Sequence, residues 1–139
     1  MEITRIGIIT AEFNSFLTFK MEARAKKYAE ENGCVVSHAL RVPGSHDMPY
    51  AIQLLLKKSD VDAVVVLGAI IRGETKHDEV IGFALGKTIH ELTLKYEKPI
   101  GFGVLGPGIT TEQAEKRAED YAERAVNAAV NLFKLKKEV

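Results

Sequence analysis

Residues 68–79, Gly-Ala-Ile-Ile-Arg-Gly-Glu-Thr-Lys-His-Asp-Glu, concentrate the side chains able to do chemistry. His77 is the most informative of them, because an imidazole titrates near neutral pH and can both take and return a proton. The turn before it contains glycine, and backbone N–H groups exposed where a helix starts favour an anion. Glu74, His77, Asp78 and Glu79 are also metal-ligating types. No second spaced group of histidines or cysteines completes a metal site, however, and an acid-rich first helical turn accounts for Asp78 and Glu79. Lys76 invites an enzyme-bound Schiff base, since a lysine with a depressed pKa attacks ketones; trapping with borohydride would reveal it. One further motif is Gly101-Phe102-Gly103-Val104-Leu105-Gly106, which matches G-x-G-x-x-G literally. Its first two glycines lie inside an apolar run that reads as strand, whereas a dinucleotide site needs them at the strand-to-helix turn.

These residues are positioned by a regular alternation of strand and helix. A β-branched run over 61–67 suits a strand buried on both faces, and helical spacing follows over 78–96 with Val80, Phe83, Ala84, Ile89, Leu92 and Leu94. Upstream, a strand over 5–10 leads through the turn 11–15, where Asn14 or Ser15 is placed to cap a helix running to about residue 31. Leu17, Met21, Ala25 and Tyr28 give that helix its apolar face, and Asn32-Gly33 ends it. A second strand is expected over 34–42, a break at Pro43-Gly44, and a helix over about 48–58 with Ala51, Leu54 and Leu55 inward. The fourth strand is expected over 99–105, followed by a loop at Gly106-Pro107-Gly108. Thr110 or Thr111 then opens a long helix, with Gln113 completing a capping box and Ala118, Ala122, Ala125 and Ala129 forming a small-residue stripe. That stripe packs closely, on the sheet or on another subunit.

Such alternation implies a single α/β domain over 1–139, a three-layer sandwich with a four-stranded parallel sheet in the flavodoxin-like order 2-1-3-4. The order reverses between strands one and three, which opens a crevice at their carboxyl ends. The turns 11–15 and 68–76 face it, and Phe13 comes with the first.

The chain's 139 residues suffice to bury a core, and its formal net charge is zero, so no global field draws it to nucleic acid or an anionic membrane. Cys34 is the only cysteine; it opens an apolar run and reads as a small buried hydrophobe in a reducing compartment. With no secretory signature and no apolar run of spanning length, a cytoplasmic location is expected.

Four blocks carry a resemblance: Ala11-Glu12-Phe13-Asn14, Val-Pro-Gly-Ser-His-Asp-Met-Pro over 42–49, Gly-Ala-Ile-Ile-Arg-Gly-Glu-Thr-Lys-His over 68–77, and Phe102-Gly103-Val104-Leu105 with Gln113-Ala114-Glu115-Lys116-Arg117. In order along nearly the whole chain, they resemble the 6,7-dimethyl-8-ribityllumazine synthase family. The second and third blocks are the specific ones.

The resemblance implies condensation of 5-amino-6-(D-ribitylamino)uracil with 3,4-dihydroxy-2-butanone 4-phosphate in riboflavin biosynthesis, without metal or organic cofactor. A Schiff base forms between the substrate's own amine and the ketone, then phosphate leaves and the ring closes. His77 becomes the proton-transfer group. Glu74 (through its backbone) and Thr75, with Arg117, become the phosphate site, since a guanidinium grips phosphate through two parallel hydrogen bonds. Phe13 stacks on the pyrimidine, and Ala69, Ile70 and Ile71 offer backbone groups to its edge. Ser45, His46 and Asp47 meet the ribityl chain, and Phe102 closes the pocket; which subunit supplies Phe102 and Arg117 is left open.

Departures from the family pattern are His46, where an aromatic is common, Asp47 in place of Glu, and Tyr121 and Arg124 where lysines are common. An archaeal-type riboflavin synthase and a non-catalytic flavin or lumazine carrier or shell protein are the rival readings. By the same resemblance the chain assembles as a homopentamer, alone or as twelve pentamers in a shell. The short segment before the first strand favours the isolated pentamer.

Overall fold

A β-branched strand at the centre of the sheet is what the rest of the chain packs around. In a computed structural model, which describes residues 3–73 and 75–139, this strand is β3 (Ala63–Ile71). Ala63 to Leu67 are fully buried, as a strand covered on both faces requires. The elements before it are β1 (Arg5–Ala11), α1 (Ser15–Glu31), β2 (Val35–Val42), a 3-10 turn (Ser45–Asp47) and α2 (Met48–Leu56). After it come α3 (His77–Tyr96), β4 (Ile100–Ile109) and α4 (Thr111–Lys136).

The four strands are all parallel and lie in the order β2-β1-β3-β4, the order expected from the alternation of elements. Helices α1 and α4 cover one face of the sheet, over a core that contains Ile6, Ile8, Val65, Leu67 and Leu105. Helices α2 and α3 cover the other, over Ile9, Ile52, Val64, Val66 and Val104. Each fully buried aliphatic side chain of this kind stabilises the fold by about 1.5–3 kcal/mol.

Several local signals act as their chemistry suggests. Thr110 Oγ1 accepts the Gln113 N–H at 3.2 Å while Gln113 Oε1 accepts the Thr110 N–H at 3.0 Å, a complete capping box for α4. Ala118, Ala122, Ala125 and Ala129 are buried against the sheet and α1. Gly101 makes this approach possible, because a Cβ there would overlap the Ala125 carbonyl. Cys34 is buried, and that burial pushes its thiol pKa up and keeps it protonated.

Other expectations are corrected. Asn14 makes no side-chain capping bond to α1; it adopts a left-handed conformation, φ 63° and ψ 42°, and sends its side chain across the sheet end instead. Leu54 points outward, and Ile52 takes the buried place beside Ala51 and Leu55. On α3, Val80, Phe83 and Leu94 are exposed, whereas Leu85 and Ile89 are buried. Gly106-Pro107-Gly108 does not end β4 as a loop. Gly106 and Gly108 take φ values of 95° and 77°, which glycine adopts without a Cβ penalty, so the strand bulges there and rejoins β3 at Ile109 opposite Ile71.

Candidate functional site

The site follows from unequal strand lengths. β1 pairs with β3 from Ile6 opposite Ala63 to Thr10 opposite Leu67. Beyond that point β3 runs on through Gly68 to Ile71 and pairs only with β4, at Val104, Leu105 and Ile109. Its other edge opens into a cleft of about 580 Å³ at the carboxyl ends of β1 and β3, where the strand order reverses.

Three segments wall this cleft. The first is the turn after β1, anchored to the end of β2 by Glu12 N–H to Val42 O at 2.7 Å and Phe13 N–H to Pro43 O at 2.9 Å. These bonds present Phe13 to the cleft, 63% exposed, an unusual cost for an aromatic ring with nothing to cover it. Next to it, Asn14 Nδ2 donates to the Ala69 carbonyl at 2.8 Å and ties this turn to β3. Asn14 lines the cleft but was read from the sequence only as a helix cap, not as a site residue; its place beside Phe13 in the Ala-Glu-Phe-Asn block was the one signal for the site.

The second wall is the 3-10 turn. Asp47 Oδ2 accepts the Gly44 N–H at 2.9 Å, which folds Ser45, His46 and Asp47 over the cleft. Ser45 is buried over Gly68, where a Cβ would come 2.6 Å from the Ser45 hydroxyl oxygen. His46 is exposed, with its Nε2 3.5 Å from Asp47 Oδ1.

The third wall is the start of α3. Thr75, His77 and Asp78 all line the cleft. Thr75 Oγ1 accepts the His77 N–H at 3.3 Å, so a hydroxyl occupies one of the helix's unsatisfied donors. His77 is exposed and lines the same cleft as Phe13. Asp78 is not the solvated first-turn acid expected; it is buried, and its Oδ2 accepts the Gly108 N–H at 3.0 Å. Ala69, Ile70 and Ile71 form the floor, with the Ala69 carbonyl already engaged by Asn14. Glu74, expected to help bind phosphate through its backbone, lies outside the described residues.

Two expected site residues do not line this cleft within one chain. Phe102 sits near the start of β4 opposite Val66, 37% exposed. Arg117 lines a separate cavity of about 320 Å³ with Gly106, Pro107, Gly108 and Tyr121. Among the described residues around the main cleft, none is a lysine or arginine. The described lining residues therefore offer an aromatic face, hydroxyls, carboxylates and two imidazoles, but no permanent cation for a phosphate. No three His, Cys, Asp or Glu side chains gather in metal-binding geometry among the described residues, and no helix of the structure is long and apolar enough to cross a membrane.

Comparison with known proteins gives one family. That described as 6,7-dimethyl-8-ribityllumazine synthase matches residues 4–137. A 6,7-dimethyl-8-ribityllumazine synthase of Methanococcus maripaludis is 47% identical over 137 residues, 99% of each chain. The Archaeoglobus fulgidus protein of the same name is 46% identical over 99% of this chain and 96% of its own. One from Staphylothermus marinus is 43% identical over 94% of this chain and 87% of its own.

Proposed function

The chain belongs to the 6,7-dimethyl-8-ribityllumazine synthase family, and on that premise we propose that it condenses 5-amino-6-(D-ribitylamino)uracil with 3,4-dihydroxy-2-butanone 4-phosphate. The products are 6,7-dimethyl-8-ribityllumazine, phosphate and water, and the reaction serves riboflavin biosynthesis in the cytoplasm. The observation that carries this reading is that Phe13 and His77, from turns far apart in sequence, line one cleft along an unpaired edge of β3.

Phe13 stacks on the pyrimidine, whose polar edge meets the backbone of Ala69, Ile70 and Ile71. An offset aromatic contact adds about 0.5–1.5 kcal/mol beyond the area it buries. Ser45, His46 and Asp47 bind the ribityl hydroxyls. The amine of the bound pyrimidine attacks the ketone carbonyl and water is lost to give the imine; loss of the C3 proton then expels phosphate from C4, the resulting enol tautomerises to a carbonyl at C3, and the ribitylamino nitrogen closes the ring on that carbonyl with loss of a second water. His77 moves protons during these steps.

Phosphate recognition joins the backbone at Glu74 and Thr75 to Arg117 of an adjacent subunit. The absence of lysine and arginine among the described lining residues supports that arrangement, as does the position of Arg117 in a cavity of its own. Phe102 reaches the same neighbouring cleft from β4, an edge strand. A head-to-tail ring of five subunits uses such complementary surfaces and closes on itself. The exposed apolar side chains Val80 and Phe83 of α3 fit burial in that ring.

The deciding experiment follows lumazine formation by purified protein supplied with both substrates. Product formation is expected; binding of the pyrimidine without turnover would instead identify a carrier, and turnover of lumazine alone a riboflavin synthase. Replacement of Arg117 by Lys is expected to raise the KM for the phosphorylated ketone by about tenfold, because the two-bond grip on phosphate is lost.

A further inference from the structure

Asp78 directly follows His77, yet it is only 8% exposed. Its Oδ2 accepts the Gly108 amide at 3.0 Å, from β4 thirty residues further on. Two bonds run alongside this one: the Arg72 N–H donates to the Ile109 carbonyl at 2.8 Å, and the Arg72 guanidinium donates to the Gly108 carbonyl at 3.2 Å. Gly82, one turn after Asp78, leaves room for the same stretch of β4, since a Cβ there would come 2.6 Å from Pro107 Cδ. The first turn of α3, through Asp78, and the residue that follows β3, Arg72, are thus both bonded to the bulged end of β4.

His77 has less to fix it. Its ring is exposed, and Arg72, Gly73, Thr75 and Lys76 before it are exposed as well, so burial does not set where α3 begins. A carboxylate bonded to the adjacent strand does. It also lies between two cavities, because Asp78 lines the cleft with His77 while Gly108 lines the cavity with Arg117.

We propose that Asp78 is a positioning residue for the condensation: by clasping the Gly108 amide it fixes the first turn of α3, and with it His77, against the strand end that forms the Arg117 cavity. The assignment rests on the proton-transfer role proposed for His77. What the clasp needs is an acceptor at that place, and the side-chain oxygen of asparagine serves nearly as well as a carboxylate; a methyl group does not.

The test compares steady-state kinetics of wild type, Asp78→Ala and Asp78→Asn, together with hydrogen exchange at the Gly108 amide in the absence of substrate. Asp78→Ala is expected to lower turnover about tenfold to a hundredfold, the cost of a misplaced catalytic group. The KM for the pyrimidine should change by less than about threefold, because Phe13 and the β3 edge are untouched. Exchange at Gly108 should be faster in Asp78→Ala, while Asp78→Asn recovers most of both turnover and protection. Wild-type turnover in Asp78→Ala would overturn the proposal. So would an Asp78→Asn enzyme as impaired as Asp78→Ala, since the carboxylate would then act through its charge or its proton. If Asp78→Ala does not fold, Asp78→Asn against wild type still decides, through retained turnover and a protected Gly108. A wild type that makes no lumazine would remove the functional reading alone, and Gly108 exchange would still report the clasp.

Discussion

The two faces of the sheet are finished to different degrees. Under α1 and α4 the packing is closed: alanines lie against glycines, and Tyr28 OH donates to Asn127 Oδ1 at 3.1 Å across the two helices. Arg24 and Glu123 also pair between them. Under α2 and α3 the inner layer is equally dry, but Tyr50, Val80 and Phe83 are each more than 60% exposed, and Phe102 is partly uncovered. The first face leaves Phe16, Leu132 and Leu135 about half exposed, none of them lining the cleft. The second carries the cleft and leaves apolar surface that only a ligand or another subunit would cover. Arg117 on α4 apart, stability and the proposed function are thus largely divided between the faces, and substitutions should separate them.

The largest effect is expected on the closed face. Gly101→Val places a side chain into the Ala125 carbonyl, and overpacking against backbone leaves no rotamer to escape to. A loss of more than about 3 kcal/mol is expected in urea denaturation. A variant as stable as wild type would show that α4 does not approach the sheet so closely.

Next comes the open face. His77→Ala should reduce turnover by about a hundredfold, the lower end of what a positioned acid–base group contributes, with pyrimidine binding largely kept. Tm should barely move, since the side chain is exposed. Unchanged single-turnover rates would remove His77 from the mechanism.

A smaller effect tests the rim between α1 and β2. Glu22 is buried and accepts two bonds from Arg41, at 2.8 and 3.1 Å, with Arg41 stacked 4.0 Å over the Phe19 ring. The Arg41 guanidinium holds the Glu22 carboxyl below its ordinary value of 4.5, against the opposing effect of burial. A carboxylate with a lowered folded pKa stabilises the fold above its ordinary value, and that contribution is lost as pH falls through the lowered one. Glu22→Gln should therefore cost about 1–2 kcal/mol at neutral pH, and the difference from wild type should shrink in acid. Thermal melts at both pH values check this; a constant difference would contradict the sign. The smallest change in monomer stability is expected from Phe83→Ser, within about 0.5 kcal/mol for so exposed a side chain. Native mass should nevertheless shift to smaller species if α3 lies in the subunit contact.

Much of this architecture could be read from residue patterns. The β-branched run of β3, the Asn32-Gly33 stop and the Thr110 and Gln113 cap each reflect local chemistry, and the alternation of elements yields the sheet order. Patterns failed where the outcome depended on a distant partner. Asn14 was free to cap α1 but found the Ala69 carbonyl, and Asp78 resembled any first-turn acid until β4 was placed beside it. Gly106-Pro107-Gly108 has the composition of a loop, yet the adjacent β3 edge keeps it in the sheet. Helical spacing marked the apolar residues of α3 without saying which would find neighbours in the same chain. Phe102 and Arg117 were named for the site only through the family resemblance, and within one chain both lie outside the main cleft.

Subunit mixing tests most directly the proposal that Arg117 completes the cleft of a neighbouring subunit. Co-assembled His77→Ala and Arg117→Ala chains place an intact His77 cleft against an intact Arg117 at some junctions. If each site spans two subunits, mixing equal amounts of the two inactive variants should restore about a quarter of wild-type turnover, the statistical share of junctions with both groups intact. Mixed assemblies of the correct mass that remain as inactive as either variant alone would contradict a shared site.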